Sequence, residues 1–182
     1  MHKGGRDNRL WHATYNGSSW TGDSALPGHE TVSNPALAVY DNKLHLLHRG
    51  GNDTQLWHAT YDGSSWSADR RLGAHESLEG PALAVYAGEL YAIHRGYGSS
   101  DQSLWWTKYR TGGPCTPDQR FPGHESGAGP AAIVYRDKNG AEDQLLVVHR
   151  DWSNNRAAGA DTAEDEARIA AVQATATKPG TP

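Results

Sequence analysis

Apolar and polar positions alternate with a period of two over most of the first 151 residues, and the pattern restarts about every 46 to 49 residues. In the middle copy, Leu56, His58 and Thr60 fall on one face while Trp57, Ala59 and Tyr61 fall on the other, which predicts a half-buried strand. The uninterrupted run Pro81-Ala82-Leu83-Ala84-Val85-Tyr86 predicts a strand buried on both faces and set deep in its sheet. After a turn at Ala87-Gly88-Glu89, Leu90 to Arg95 returns as a second strand in a tight hairpin that closes at Gly96. Asp62-Gly63 supplies positive-φ residues for a two-residue turn, and Ser64 to Arg70 is the expected fourth strand. Each unit therefore reads as a four-stranded antiparallel meander.

The copies share side chains as well as periodicity. Leu10-Trp11-His12-Ala13-Thr14-Tyr15-Asn16-Gly17-Ser18-Ser19-Trp20 returns as Leu56 to Trp66 and more loosely as Leu104-Trp105-Trp106-Thr107-Lys108-Tyr109. Gly28-His29-Glu30, Ala74-His75-Glu76 and Gly123-His124-Glu125 follow in the same order. After these come the runs from Pro35, Pro81 and Pro130, then His48-Arg49-Gly50, His94-Arg95-Gly96 and His149-Arg150-Asp151. A unit of this length cannot bury its apolar face alone and must stack on its neighbours. The expected fold is all-β, a β-propeller of four-stranded antiparallel blades with about three blades per chain. A sandwich or open barrel of hairpins is the competing architecture, but neither has a reason to repeat its side chains so closely.

Propellers close with four to eight blades, so about three leaves the ring open. The chain also starts in mid-blade, because His2-Lys3-Gly4-Gly5 matches His48-Arg49-Gly50-Gly51. Completion by oligomerisation is expected. The N-terminal third and fourth strands would join the last first and second strands in a composite blade, and a homo-oligomer of two chains would make a six-bladed ring. The other route to closure is that the chain is a piece of a longer protein. Residues 1–151 hold the repeats. Residues 152–182 form an Ala- and Thr-rich tail, read as partly disordered, as a short helix over 163–173, or as a strand over 168–177 in the slot of the next Leu-Trp strand.

Composition narrows the function. A net charge of −4 over 182 residues carries no polyanion-binding signature, so nucleic acid is not an expected partner. One cysteine, Cys115, excludes an internal disulfide framework. No apolar run is long enough to cross a bilayer as a helix, and membrane insertion is not expected. Met1 to Arg6 has basic residues without an apolar stretch behind them, so no signal peptide is read, and localisation stays open with secretion included. The His-Glu pairs lack the spacing of a zinc helix and Gly-rich phosphate loops are absent; neither metal nor cofactor is expected.

The chain resembles the bacterial fucose-binding propeller lectins, and more distantly the tachylectin-like ones, over roughly residues 2–151. The resemblance rests on Tyr15 to Trp20 and Tyr61 to Trp66, on the Pro-Ala-Leu-Ala-Val-Tyr strands and on the His-Arg-Gly strand ends. It implies sugars held in shallow pockets between adjacent blades by aromatic rings and a few polar side chains.

That implication meets the residues as follows. Trp11, Trp57 and Trp105 are candidates to stack on sugar C–H faces, whereas Trp20 and Trp66, after the turn, read as packing residues. His29, His75 and His124 fall in a predicted loop before the buried strand, at one rim of the ring, and are candidate ligand contacts; the alternative is a hydrogen bond holding each loop to the next blade. Arg49, Arg95 and Arg150 offer forked donors either to sugar hydroxyls or to carbonyls between blades, and are taken as ligand contacts. The Tyr-Asp-Gly-Ser-Ser-Trp turn is similar to a sialidase Asp-box, but Asp62 and Gly63 are adjacent where that motif separates them. Neither an arginine triad nor an isolated carboxylate pair stands out. The expected function is a non-enzymatic, lectin-like propeller with repeated weak sites for glycans. The alternatives are a structural or protein-interaction propeller of a larger secreted protein or toxin, and a glycoside hydrolase remnant.

Overall fold

A computed structural model describes residues 1–111, 115–136, 142–152 and 169–172, the last four as backbone. The described residues are strands and turns. In order they are β1 (His2–Lys3), β2 (Arg9–His12), β3 (Ser24–Glu30), β4 (Ala36–Tyr40), β5 (Lys43–Arg49), β6 (Gln55–Tyr61) and β7 (Arg70–Glu76). Then come β8 (Ala82–Tyr86), β9 (Glu89–Arg95), β10 (Ser103–Tyr109), β11 (Gln119–Glu125), β12 (Ala131–Arg136), β13 (Asp143–Val148) and β14 (Ile169–Val172). They pair as antiparallel sheets in the orders β1-β2-β3, β4-β5-β6-β7, β8-β9-β10-β11 and β12-β13-β14. These are four successive blades of a β-propeller: two complete blades flanked by a partial one at each end.

The inner hairpins follow from turn chemistry. Asp41 and Asn42 join β4 to β5 with φ of 48° and 57°, and Ala87 and Gly88 join β8 to β9 with φ of 50° and 77°. Two consecutive positive φ values give the turn whose twist matches that of the flanking strands.

The outer half of each blade differs from the expectation. Tyr61 bridges to Trp66, so the loop is four residues long. Within it only Gly63 has a positive φ, while the Asp62 carboxylate accepts hydrogen bonds from the Ser64 and Ser65 amides at 2.8 and 2.9 Å. The fourth strand is Arg70–Glu76 rather than 64–70, and the His-Glu pairs end that strand instead of sitting in a loop. The lack of alternation concealed it: β7 slips register against β6, Gly73 takes a φ of 62°, and only Leu72 and His75 are buried.

The run from Ala82 to Tyr86 also lies at the edge of its sheet, not deep inside it. Its burial comes from neighbouring blades, since β8 lies against both β4 and β12. Leu83 joins a cluster with Leu47, Leu56 and Leu72 of the second blade, while Ala82 and Ala84 join one with Leu145 and Val147 of the fourth. Leu10 and Leu26 of the first blade meet Leu46 and Ala59 of the second in the same way. Because β4 and β12 have such a neighbour on one side, Val39 stays 71 % exposed and Ile133 58 % exposed.

At the other end of the chain, β14 pairs antiparallel with β13 in the position that β6 and β10 take in their sheets. Most of the expected helix over 163–173, and of the tail, lies outside the described residues, as do most of the third copy's Arg136 to Asp143 insertion and part of its turn.

Candidate functional site

The second and third strands of each of the first three blades put one histidine opposite one tryptophan: His2 faces Trp11, His48 faces Trp57 and His94 faces Trp105. Directly opposed residues share a sheet face. Beyond each histidine the chain turns through a glycine into a loop carrying an aspartate, and that carboxylate holds the indole. Trp57 Nε1 donates to Asp53 at 3.2 Å, Trp105 Nε1 to Asp101 at 3.1 Å and Trp11 Nε1 to Asp7 at 3.4 Å. The same carboxylates accept the amides of Gln55, Ser103 and Arg9, two residues on. Only glycine fits the turn: a Cβ on Gly4 or Gly50 would stand 2.0 Å from the aspartate oxygen, and one on Gly96 would stand 2.2 Å away.

The held tryptophans line three equivalent clefts of about 200 Å³ at Trp105, 340 Å³ at Trp57 and 330 Å³ at Trp11, the last two at the lower end of the range of small-molecule sites. The Trp57 cleft takes Glu30 from the first blade and His48, Asp53 and Asp69 from the second. The Trp105 cleft takes Glu76 from the second blade and His94, Asp101 and Asp118 from the third. Glu76 is positioned by hydrogen bonds from Thr54 Oγ1 at 2.7 Å and from the Gln55 amide. The Trp11 cleft is lined by the first blade alone, including His2, Asp7 and Asp23. Each cleft thus offers a half-buried indole face ringed by carboxylates, and Arg71 lies over the Trp57 ring at 5.9 Å.

Behind the Trp57 and Trp105 clefts, an aspartate ties the second blade to the first and the third to the second. Asp69 lies 3.1 Å from His48 Nε2 of its own blade and 3.4 Å from His29 Nε2 of the first blade. Asp118 lies 3.1 Å from His94 and 2.6 Å from His75. Burial opposes ionisation of Asp118, but the hydrogen bonds and charges of His75 and His94 outweigh it and hold the carboxyl well below the usual range. His48 and His94 direct Nδ1 at the carbonyls of Arg49 and Arg95, at 3.1 and 3.2 Å. His75, His94 and Asp118 also have the composition of a metal ligand set. At 2.6 Å, however, His75 Nδ1 and Asp118 Oδ1 are at hydrogen-bond distance, below the ~3.3 Å that separates two ligands on a tetrahedral ion with bonds of about 2.0 Å.

Of the residues singled out from the sequence, Trp11, Trp57 and Trp105 line the clefts. His29 and His75 are buried on the inter-blade aspartates. His124 packs edge-on against His149 with ring centroids 5.7 Å apart. The arginines face carbonyls: Arg49 donates to Asp53 and Leu78, and Arg150 to Gly127. Arg95, 4 % exposed, stacks over Trp152 at 5.5 Å. The residues not singled out are Asp7, Asp53 and Asp101, Asp23, Asp69 and Asp118, and the strand-ending Glu30 and Glu76. A signal for the first set was present, since an aspartate precedes the tryptophan by four residues in every copy.

No known family profile matches the chain, and neither does any curated protein sequence. Among solved structures it is similar to the NanB sialidase of Streptococcus pneumoniae in its K499G form, with 14 % identity and a TM-score of 0.55 over 80 % of this chain and 27 % of that one. It is also similar to GH43B of the Bacteroides ovatus xyloglucan locus, with 13 % identity and a TM-score of 0.48 over 65 % of this chain and 23 % of that one. A third is a fucose lectin from Kordia zhangzhouensis in complex with methyl-fucoside, at 13 % identity and a TM-score of 0.46, covering 66 % of this chain and 87 % of that one. The chain spans about a quarter of the sialidase and of GH43B. Likeness at this level concerns the fold.

Proposed function

We propose that this chain binds carbohydrate, without turnover, through repeated weak clefts at the blade junctions. The observation that carries the reading is the indole held by an aspartate at three equivalent positions, joined in two of them by a glutamate from the preceding blade. A saccharide presents a C–H face that stacks on an indole and hydroxyls that donate to carboxylates. Stacking of this kind supplies about 1 kcal/mol, so single sites are weak and avidity on a glycosylated surface supplies the rest. Repetition argues for binding, because an enzyme concentrates its unique residues in one place. In the same reading a second copy completes the ring.

The test is a glycan array with the wild type, followed by calorimetry on the best sugar. Trp57→Ala and Trp105→Ala should each remove the heat of one class of sites while circular dichroism stays unchanged. A wild type without glycan signal, or variants that bind as the wild type does, overturns the proposal. Release of chromophore from aryl glycosides by the wild type but not by a Glu76→Gln variant would favour the hydrolase reading instead.

A further inference from the structure

The three clefts repeat one clamp but not one rim. Arg6 lines the Trp11 cleft, and the Arg71 guanidinium lies over the Trp57 ring at 5.9 Å, so each of these two clefts already holds a cation of the chain itself. The Trp105 cleft differs. Arg120 pairs with Trp105 across the strands as Arg71 pairs with Trp57, but its guanidinium stands 4.0 Å from the Glu125 carboxylate. Among the described residues that line this cleft there is neither a lysine nor an arginine.

In place of a cation the Trp105 cleft has a second ring. Asp101 follows Gly96 by five positions, where Asp53 follows Gly50, and Asp7 follows Gly4, by three. The longer loop carries Tyr97, which takes the place of Gly5 and Gly51 and enters the lining while staying 56 % exposed. The loop is braced rather than loose: the Asp101 amide donates to the Gly98 carbonyl at 3.1 Å, and the Gln102 side chain donates to the Ser99 carbonyl at 2.6 Å. In the second blade a side chain at this position is excluded, since a Cβ on Gly51 would stand 2.9 Å from Cβ of Glu30.

The carboxylates of this rim are not equally available. Asp101 is engaged by Trp105 Nε1 and the Ser103 amide, and Asp118 by His75 and His94. Glu76 reaches in from the preceding blade with Oε1 held by Thr54 and Gln55, while its Oε2 accepts no hydrogen bond from the described residues. An ammonium uses both features. It is drawn to the faces of aromatic rings, and it donates charge-assisted hydrogen bonds to a carboxylate. A neutral group in the same place would leave Glu76 desolvated without a counter-charge.

We infer that the Trp105 cleft selects a cationic saccharide, an amino sugar with a free ammonium, with Trp105 under its C–H face and Tyr97 and Glu76 about its charge. The inference rests on the carbohydrate reading above and names the ligand class of one of its clefts. At about 200 Å³ the cleft takes one small ring. The Trp57 cleft discriminates against the same ligand, because Arg71 already occupies the space over its indole.

Calorimetry below neutral pH and at low ionic strength, with glucosamine, N-acetylglucosamine, glucose and choline as probes, tests the assignment. Glucosamine should bind about tenfold more tightly than glucose or N-acetylglucosamine, and added salt should weaken it. Trp105→Ala should abolish this binding. Tyr97→Gly and Glu76→Gln should each bring the ratio of glucosamine to glucose affinity close to one, with the circular dichroism of the wild type. Neutral sugars bound as tightly as glucosamine, or a preference indifferent to Tyr97→Gly and Glu76→Gln, overturn the inference and leave the carbohydrate reading standing. Choline bound as well as glucosamine, beside neutral sugars that give no heat, overturns both, as does a wild type that gives no heat with any probe.

Discussion

Trp57 and Asp53 are locked together across one loop: the indole Nε1 donates to the Asp53 carboxylate at 3.2 Å, and Gly50 lies so close that a Cβ there would stand 2.0 Å from the carboxylate and 2.8 Å from Nε1. The ring is thereby fixed at its polar edge while its face stays available to the cleft. Gly4 with Asp7 and Trp11, and Gly96 with Asp101 and Trp105, repeat the arrangement.

Gly50→Ala should therefore act on the cleft more than on the core. The added methyl displaces Asp53, frees the indole and lowers affinity at that cleft by about tenfold, with a loss of stability near 1 kcal/mol. Calorimetric titration beside a thermal melt checks this; a variant that binds normally would show that the clamp does not hold the ring in its working orientation.

Gly80→Ala should be far more damaging to the fold. Its Cβ would stand 2.4 Å from the Asn34 carbonyl oxygen and 3.1 Å from the Asn34 amide, where backbone meets backbone between the second and third blades and no side chain can move aside. A loss of about 3 kcal/mol, or failure to fold, is expected in urea denaturation.

Acid should loosen the fold in two windows. His58, buried against His45 with 2.9 Å between ring nitrogens, is pushed down to about 4, first by burial and then by the charge of His45. The unfolded chain takes up this proton near pH 6.5 and the folded one does not, so stability is full above 6.5 and declines by about 3 kcal/mol as the pH falls toward 4. His58→Phe should flatten that part of the curve of melting temperature against pH.

The second window belongs to Asp118. Its folded pKa lies below the ordinary value of an aspartate, so its contribution is present above about pH 4 and is lost as the pH falls further. Asp118→Asn should remove the acid limb below pH 4 and leave His75 and His94 without their counter-charge. Melting curves at pH 3 to 5 for both proteins would separate the two contributions, and identical curves would disprove the role given to Asp118.

Much of the blade was legible because it is local. The inner hairpin between β8 and β9 follows from one apolar run, a turn that tolerates positive φ and a second alternating run, all within fifteen residues. The fourth strand was not legible: a bulge, a positive-φ glycine and two buried positions out of seven leave β7 with almost no period to read. The candidate tryptophans stood out through repetition. Their aspartates were as regular in sequence, but in a turn an aspartate is ordinarily explained by the turn itself.

By itself the sequence determined the repeat, the antiparallel meander and the residues that return in every blade, because these depend on period, turn chemistry and composition over short spans. Tertiary structure decided what the repeated residues face. It set His29 and His75 on the aspartates of the following blade, turned Arg49 and Arg150 to carbonyls, and drew Glu30 and Glu76 across the junction into a neighbour's cleft. These partners lie between 23 and 43 residues apart in the chain, and only the stacking of one sheet on the next, driven by burial of the apolar faces between them, brings them within reach.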